Sequence, residues 1–139
     1  MVKKYYIDAS IWIDYYENRS DRLRPLGEWA LRLFQGIIED DDVVLYSDLL
    51  IEEICNAGYE EGKVKEILGI IKSKNLVKIE PTEKQLKEAR RLASKFSIPK
   101  GDAIHAILAR DYNAILIYRD KHFYELHKIT KIKKPEEVI

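Results

Sequence analysis

The chain has 139 residues, a length that suits one globular domain, and its 24 Lys+Arg balance its 24 Asp+Glu to zero net charge. That balance excludes a uniformly basic protein that coats nucleic acid. A single cysteine, Cys55, excludes a disulfide framework and a cysteine-based zinc site. Charged residues make up 35%, against about 25% in an average domain, and with four Asn and two Gln the composition is of a heat-adapted kind. The zero sum hides an asymmetry: residues 1–60 hold 6 basic and 13 acidic side chains, residues 61–139 hold 18 and 11. One half is thus suited to an acidic site and the other to a polyanion, unless both are ordinary surface charge.

Lys3 to Ile7 is a β-prone run ending at Asp8, and a short helix is expected from Ser10 to Glu17. Pro25 suits a first helical turn. Leu26, Trp29, Ala30, Leu33, Phe34, Ile37 and Ile38 then trace one helix face. Val43 to Tyr46 reads as a strand, and a helix follows from Asp48 to Asn56, stopping near Gly58. Val64, Ile67, Leu68 and Ile71 mark the next helix, and Leu76 to Ile79 a third strand. Thr82-Glu83-Lys84-Gln85 fits a capping box, with Leu86, Ala89, Ala93 and Phe96 on the buried face behind it. After Pro99-Lys100-Gly101, Asp102 to Asp111 is helical, Ala114 to Tyr118 a strand, Asp120 to His127 a short helix and Ile129 to Ile132 a last strand. Strands alternating with helices predict a three-layer α/β/α domain with a mainly parallel central sheet, one domain over residues 1–139. The N-terminus enters a strand at once, without the apolar region of a signal peptide. No apolar run reaches the roughly 18 residues of a membrane span. The expectation is a cytoplasmic protein without membrane association.

In open α/β sheets ligands bind at the carboxyl ends of the strands. Asp8 ends the first strand, Asp102 opens the helix leading to the fourth, Asp120 follows the fourth, and Glu53 lies in the helix after the second. Each Asp also suits a helix start, where a cap contributes about 0.5–2 kcal/mol. Glu53 is less easily explained so, since it sits among Leu49, Leu50, Ile51, Ile54 and Cys55 while Glu52 suits the exposed face. Carboxylates about 4 Å apart repel by about 4 kcal/mol at an effective dielectric of 20. A cluster of them therefore calls for protonation or a cation. All-oxygen ligands suit Mg²⁺ or Mn²⁺, and such an ion can bind a phosphate oxygen and acidify water, the chemistry of phosphodiester hydrolysis.

Four stretches resemble the PIN-domain family of metal-dependent ribonucleases, in particular its VapC-type toxins. They are Tyr6-Ile7-Asp8-Ala9-Ser10; Ser47-Asp48-Leu49-Leu50-Ile51-Glu52-Glu53-Ile54; Gly101-Asp102-Ala103-Ile104-His105-Ala106; and Leu116-Ile117-Tyr118-Arg119-Asp120-Lys121-His122-Phe123. The ending Lys134-Pro135-Glu136-Glu137-Val138-Ile139 is similar to the family's closing segment, so the likeness spans essentially the whole chain. The resemblance implies that Asp8, Glu53, Asp102 and Asp120 are catalytic, metal-holding acids, with Ser10 a supporting hydroxyl. It implies an endoribonuclease using Mg²⁺ or Mn²⁺ that leaves a 5′-phosphate and a 3′-hydroxyl, a small antitoxin partner, and a homodimer. Tyr118 stands where the family often has Thr or Ser, which removes a small hydroxyl, and His122 where it often has an acid, so one metal or two stays open.

Around the acids, His105 lies on the helix face of Asp102 and supports substrate or a carboxylate, unless it is a packed histidine. Lys100, Arg119 and Lys121 flank the acids as candidate contacts to RNA phosphates, with Lys128, Lys131, Lys133 and Lys134 extending the track. Asp14 reads as a solvated helix residue or outer charge. Trp12, Tyr15 and Tyr16 offer faces for base stacking or a dimer contact, against an ordinary core role. Other readings fit less well. A receiver domain needs a phosphoacceptor Asp after the third strand, where Glu80-Pro81 stands. A dehalogenase-type phosphatase needs a second Asp where Ala9-Ser10 stands. A catalytically silent PIN-like module binding RNA or a partner protein is the remaining alternative.

Overall fold

The computed structural model describes residues 2–139. In chain order its elements are β1 (Lys4–Ile7), α1 (Ala9–Glu17), α2 (Leu26–Glu39), β2 (Val43–Tyr46), α3 (Asp48–Asn56), α4 (Glu61–Leu68), β3 (Leu76–Lys78), α5 (Glu83–Phe96), α6 (Lys100–Asp111), β4 (Ile115–Ile117), α7 (Phe123–His127) and β5 (Ile132–Lys133). The sheet runs in the order β3-β2-β1-β4-β5, and each of its four pairings is parallel.

Side chains alternate across the sheet with the period of two that strands impose. Tyr5, Ile7, Val44 and Ile117 face the layer of α1 to α4, where Trp12, Phe34, Leu50, Ile54 and Ile67 are buried. Tyr6, Leu45, Leu116 and Tyr118 face the layer of α5 to α7, built on Ala89, Leu92, Ile104, Ile107, Leu108 and Leu126. Each layer buries an apolar stripe against one sheet face, so the fold is the expected α/β/α sandwich.

The differences from the sequence reading are local. Helix α6 begins at Lys100, because Pro99 caps it and its carbonyl accepts the Ala103 N–H at 3.1 Å. Asp102 is therefore inside the first turn and does not cap. Helix α7 begins at Phe123 and not at Asp120, since Asp120 turns the chain by accepting the Phe123 N–H at its carbonyl. The last strand is Ile132–Lys133, because the N–H groups of Ile129 and Thr130 still close α7 on the Leu126 carbonyl at 2.9 and 3.1 Å. On α5 the fully buried positions are Ala89 and Leu92, with Leu86, Ala93 and Phe96 at the layer's margin. The Thr82–Gln85 capping box forms as read. Among the described residues no helix is long and apolar enough to cross a membrane.

From β1 the chain passes first to β2 and returns only later to β4 on the other side. The carboxyl ends of β1 and β4 thus mark the point where strand order reverses, the place such sheets bind ligands.

Candidate metal centre at the carboxyl ends of the strands

Asp8 leaves β1 in extended conformation and caps α1. Its Oδ2 accepts the Ser10 hydroxyl at 2.6 Å and the Ser10 N–H at 3.3 Å. The cap uses Oδ2 only, so capping α1 leaves the second oxygen of Asp8 without a hydrogen bond among the described residues. Burial pushes its carboxyl above the ordinary range; the Ser10 hydrogen bond offsets part of that, and the charges of Glu53 and Asp102 push it further up.

Glu53 comes from the middle of α3, whose start is fixed by Ser47: the Ser47 hydroxyl accepts the Leu50 N–H at 3.2 Å. Its Oε1 lies 2.8 Å from His105 Nε2 on α6. Its Oε2 lies against Gly101, where a Cβ would stand 3.1 Å away. A side chain at 101 would crowd the carboxylate, which is a physical reason for glycine before Asp102.

Asp102 accepts the Tyr118 hydroxyl at 2.8 Å. Burial raises its carboxyl above the ordinary range, the phenol opposes this, and the nearby Glu53 adds to the rise. Tyr118 itself is pushed far above the usual tyrosine range, by burial first and then by Asp102, Asp120 and Asp8. The tyrosine that stood for a lost small hydroxyl therefore supplies a hydroxyl from further away. Asp120 is exposed at the rim, its Oδ1 accepting the Lys121 N–H at 2.8 Å.

The four acids share a pattern. One oxygen of each is held by a neighbouring donor, while the other accepts no hydrogen bond among the described residues. Asp8 is influenced by the charges of Glu53 and Asp102, and Asp102 by that of Glu53, while Tyr118 is influenced by Asp102, Asp120 and Asp8 together. Among the described residues no three His, Cys, Asp or Glu side chains stand as a ready-made ligand set. In kind the donors fit a hard divalent cation: all are oxygens, and their mutual repulsion is what such an ion relieves. Holding one would require the carboxylates to draw together.

Other residues singled out from sequence find different surroundings. His105 is a buried link between Glu53 and Tyr6. Lys100 and Lys121 are exposed beside the acids. Arg119 is engaged within the fold: its guanidinium holds Glu136 through two hydrogen bonds of 2.7 and 2.9 Å and lies over Trp29, with its side chain 13% exposed. Asp14 is buried and not solvated, its carboxyl raised by burial and drawn back by Arg19 and Arg119. Trp12 and Tyr15 pack on Phe34, and Tyr16 on Tyr59, so they serve the core. The basic tail is not one track. Lys128 and Lys131 line a cleft of about 790 Å³ with Lys3, Lys4 and Arg110 where β1, β4 and β5 begin, at the opposite sheet edge. Lys134 lies over the Phe123 ring.

The profile of the PIN domain family matches residues 5–129. Among curated proteins none matches the sequence. Similar solved structures include PAE2754 from Pyrobaculum aerophilum, at 20% identity and a TM-score of 0.60 over 99% of this chain and 94% of that one. VapBC2 from Rickettsia felis, bound to a DNA fragment from its promoter, is similar at 14% identity and a TM-score of 0.66, over 94% and 98% of the two chains. VapBC-1 from nontypeable Haemophilus influenzae is similar at 16% identity and a TM-score of 0.64, over 96% and 98%. At these identities the likeness is one of fold.

Proposed function

The chain belongs to the PIN domain family, and from that premise we propose that it is a metal-dependent endoribonuclease, the toxin of a toxin–antitoxin pair. One observation carries the reading: three carboxylates, one just after β1, one on α3 and one on α6, lie at the strand-order reversal, each tethered through one oxygen only. Asp8, Glu53 and Asp102 would hold the ion, with Asp120 at the rim. When bound, Mg²⁺ or Mn²⁺ supplies the Lewis acidity that polarises a phosphodiester and acidifies water.

The chain's own residues do the rest. Ser10 and Tyr118 donate to Asp8 and Asp102 and so fix which way each carboxylate faces. Lys100 and Lys121, exposed at the mouth, place positive charge where RNA phosphates would run. Arg119 has no part in that contact, since Glu136 occupies it. A small antitoxin and a second copy of the chain complete the proposal, by resemblance to VapC-type toxins.

The catalytically silent module is the second reading, favoured by the absence of a ready-made ligand set among the described residues. Titration with Mn²⁺ followed by thermal melting separates the two, because an ion bound to the native state raises the melting temperature. The nuclease reading expects a saturable rise, and RNA products ending in 5′-phosphate and 3′-hydroxyl. Products with 2′,3′-cyclic phosphates would refute hydrolysis by water.

A further inference from the structure

Three fully or almost fully buried polar side chains stand behind Glu53: Tyr6 at 0%, Ser47 at 0% and His105 at 2% exposure. They come from β1, the α3 cap and α6, and form a continuous line. The Leu50 N–H donates to Ser47 Oγ at 3.2 Å. Ser47 Oγ lies 2.6 Å from the Tyr6 hydroxyl, which lies 2.7 Å from His105 Nδ1. His105 Nε2 lies 2.8 Å from Glu53 Oε1.

Buried polar hydrogens need acceptors, and that requirement gives the line a direction. Of the two partners of Ser47 Oγ among the described residues, the Leu50 N–H can only donate, so the Ser47 hydrogen goes to Tyr6. Tyr6 then donates to Nδ1, which must be unprotonated, and the ring's hydrogen sits on Nε2 facing the carboxylate. Reversing the line strands the Ser47 hydrogen in a buried site. In a neutral ring it also sets the Nε2 lone pair 2.8 Å from a carboxylate oxygen. A doubly protonated ring strands the same Ser47 hydrogen.

We propose that Tyr6 and Ser47 are positioning residues for Glu53, acting through His105 as a one-way hydrogen-bond chain that holds the Nε2–H tautomer against the carboxylate. The chain starts and ends on α3, at Ser47 and Glu53, and passes through β1 and α6 on the way. It therefore fixes α3 to α6 at the level of the site. With Oε1 held, Oε2 is turned toward Gly101, next to Asp102. Orientation of ligands by partners behind them is a known determinant of metal sites, and loss of such a partner costs about 10–100-fold in affinity. The proposal rests on Glu53 being a metal-site acid, but the tautomer it requires does not.

The test begins with ring ¹⁵N–¹H correlation spectra of the metal-free full chain, with the His105 signal assigned by its loss in His105→Gln. The expected result is an Nε2–H tautomer that gives way to mixed tautomers in Tyr6→Phe, which removes one hydroxyl from a side chain of unchanged shape. A smaller change is expected in Ser47→Ala. An Nδ1–H or doubly protonated ring in the wild type, or an unchanged Tyr6→Phe spectrum, overturns the chain of bonds. Mn²⁺ binding, read by water-proton relaxation, should weaken about 10-fold in Tyr6→Phe. It should weaken more in His105→Ala than in His105→Gln, whose amide still donates to Glu53. Equal affinity in Tyr6→Phe and wild type overturns the positioning role. No Mn²⁺ binding by the wild type defeats the metal reading, and the spectra still decide the orientation of His105.

Discussion

Gly101→Ala separates the needs of the fold from those of the site. Gly101 is the second residue of α6 and has ordinary helical backbone, since among the described glycines only Gly58 has positive φ. Alanine there stabilises the native state by about 0.4–1 kcal/mol, chiefly by restricting the unfolded chain. Against this stands one contact: the new Cβ lies 3.1 Å from Glu53 Oε2, tighter than the ordinary range of 3.4–4 Å, while its next neighbour, Leu49, is unstrained at 3.9 Å. The Glu53 side chain is 30% exposed, so it can yield by a few tenths of an ångström, pivoting on the His105 bond to its other oxygen. The fold keeps most of the gain and the site bears the displacement. Metal-free protein should melt about 2–4 °C higher, while Mn²⁺ affinity and RNA cleavage fall about 10-fold. Differential scanning calorimetry in EDTA and Mn²⁺ titration of the same preparation read the two effects. A raised melting temperature with unchanged Mn²⁺ affinity would refute the role given to Glu53 Oε2. A lowered melting temperature would refute the account of the contact.

Three further substitutions test other parts of the structure. Asp8→Asn tests the sign of the carboxylate interactions. The folded Asp8 carboxyl is raised above the ordinary value, about 3.9 for a free aspartate, so its contribution to stability is full below about pH 4 and is lost as pH rises through the folded value. Each pH unit between the two values is worth about 1.4 kcal/mol; urea unfolding in EDTA should therefore show wild type losing stability relative to Asp8→Asn as pH rises above about 4, and a parallel profile would contradict the shift. Arg119→Ala should destabilise the chain by about 2 kcal/mol, because Glu136 loses both hydrogen bonds, with RNA binding per folded molecule unchanged; a selective loss of RNA affinity in anisotropy titrations would return Arg119 to the substrate path. Thr82→Ala removes one half of the capping box and should cost about 1 kcal/mol in urea unfolding without altering cleavage.

What the sequence makes readable is what repeats along it. The amphipathic period of Leu26 to Ile38, the Thr82–Gln85 box and the alternation of strands with helices are local patterns, and each forms in the structure. The aspartates are readable because Asp8 and Asp120 follow strand ends and Asp102 lies in the first turn of α6, while Glu53 is readable as an acid among the apolar residues of α3. Partners far apart in sequence were not. Tyr6 meets Ser47 and His105 across 41 and 99 residues, and no spacing rule reaches that far. A signal is nonetheless present: Tyr6 lies in a strand covered on both faces, and a buried phenol needs a hydrogen-bond partner. Tyr118 was misjudged because the reach of a phenol differs from that of a threonine. From sequence Arg119 is a candidate phosphate contact and Asp14 a solvated helix residue or outer charge, because exposure is the default for charged residues. The burial of Arg119 depends on Glu136 and Trp29 arriving from the C-terminal segment and α2, and Asp14 is buried with Arg19 and Arg119 near it. Nor did the charge asymmetry map onto two faces. Asp102 and Asp120, from the basic half, join the acidic site, while Lys3 and Lys4, from the acidic half, line the basic cleft.

The most direct test of the proposed activity is cleavage of a mixed pool of structured RNAs by purified protein with Mg²⁺ or Mn²⁺, run beside EDTA and an Asp102→Asn variant. Cleavage that disappears in both controls is the expected result. Cleavage that survives EDTA and the substitution would contradict the assignment of Asp102, and of the carboxylate cluster around it, as the seat of the chemistry.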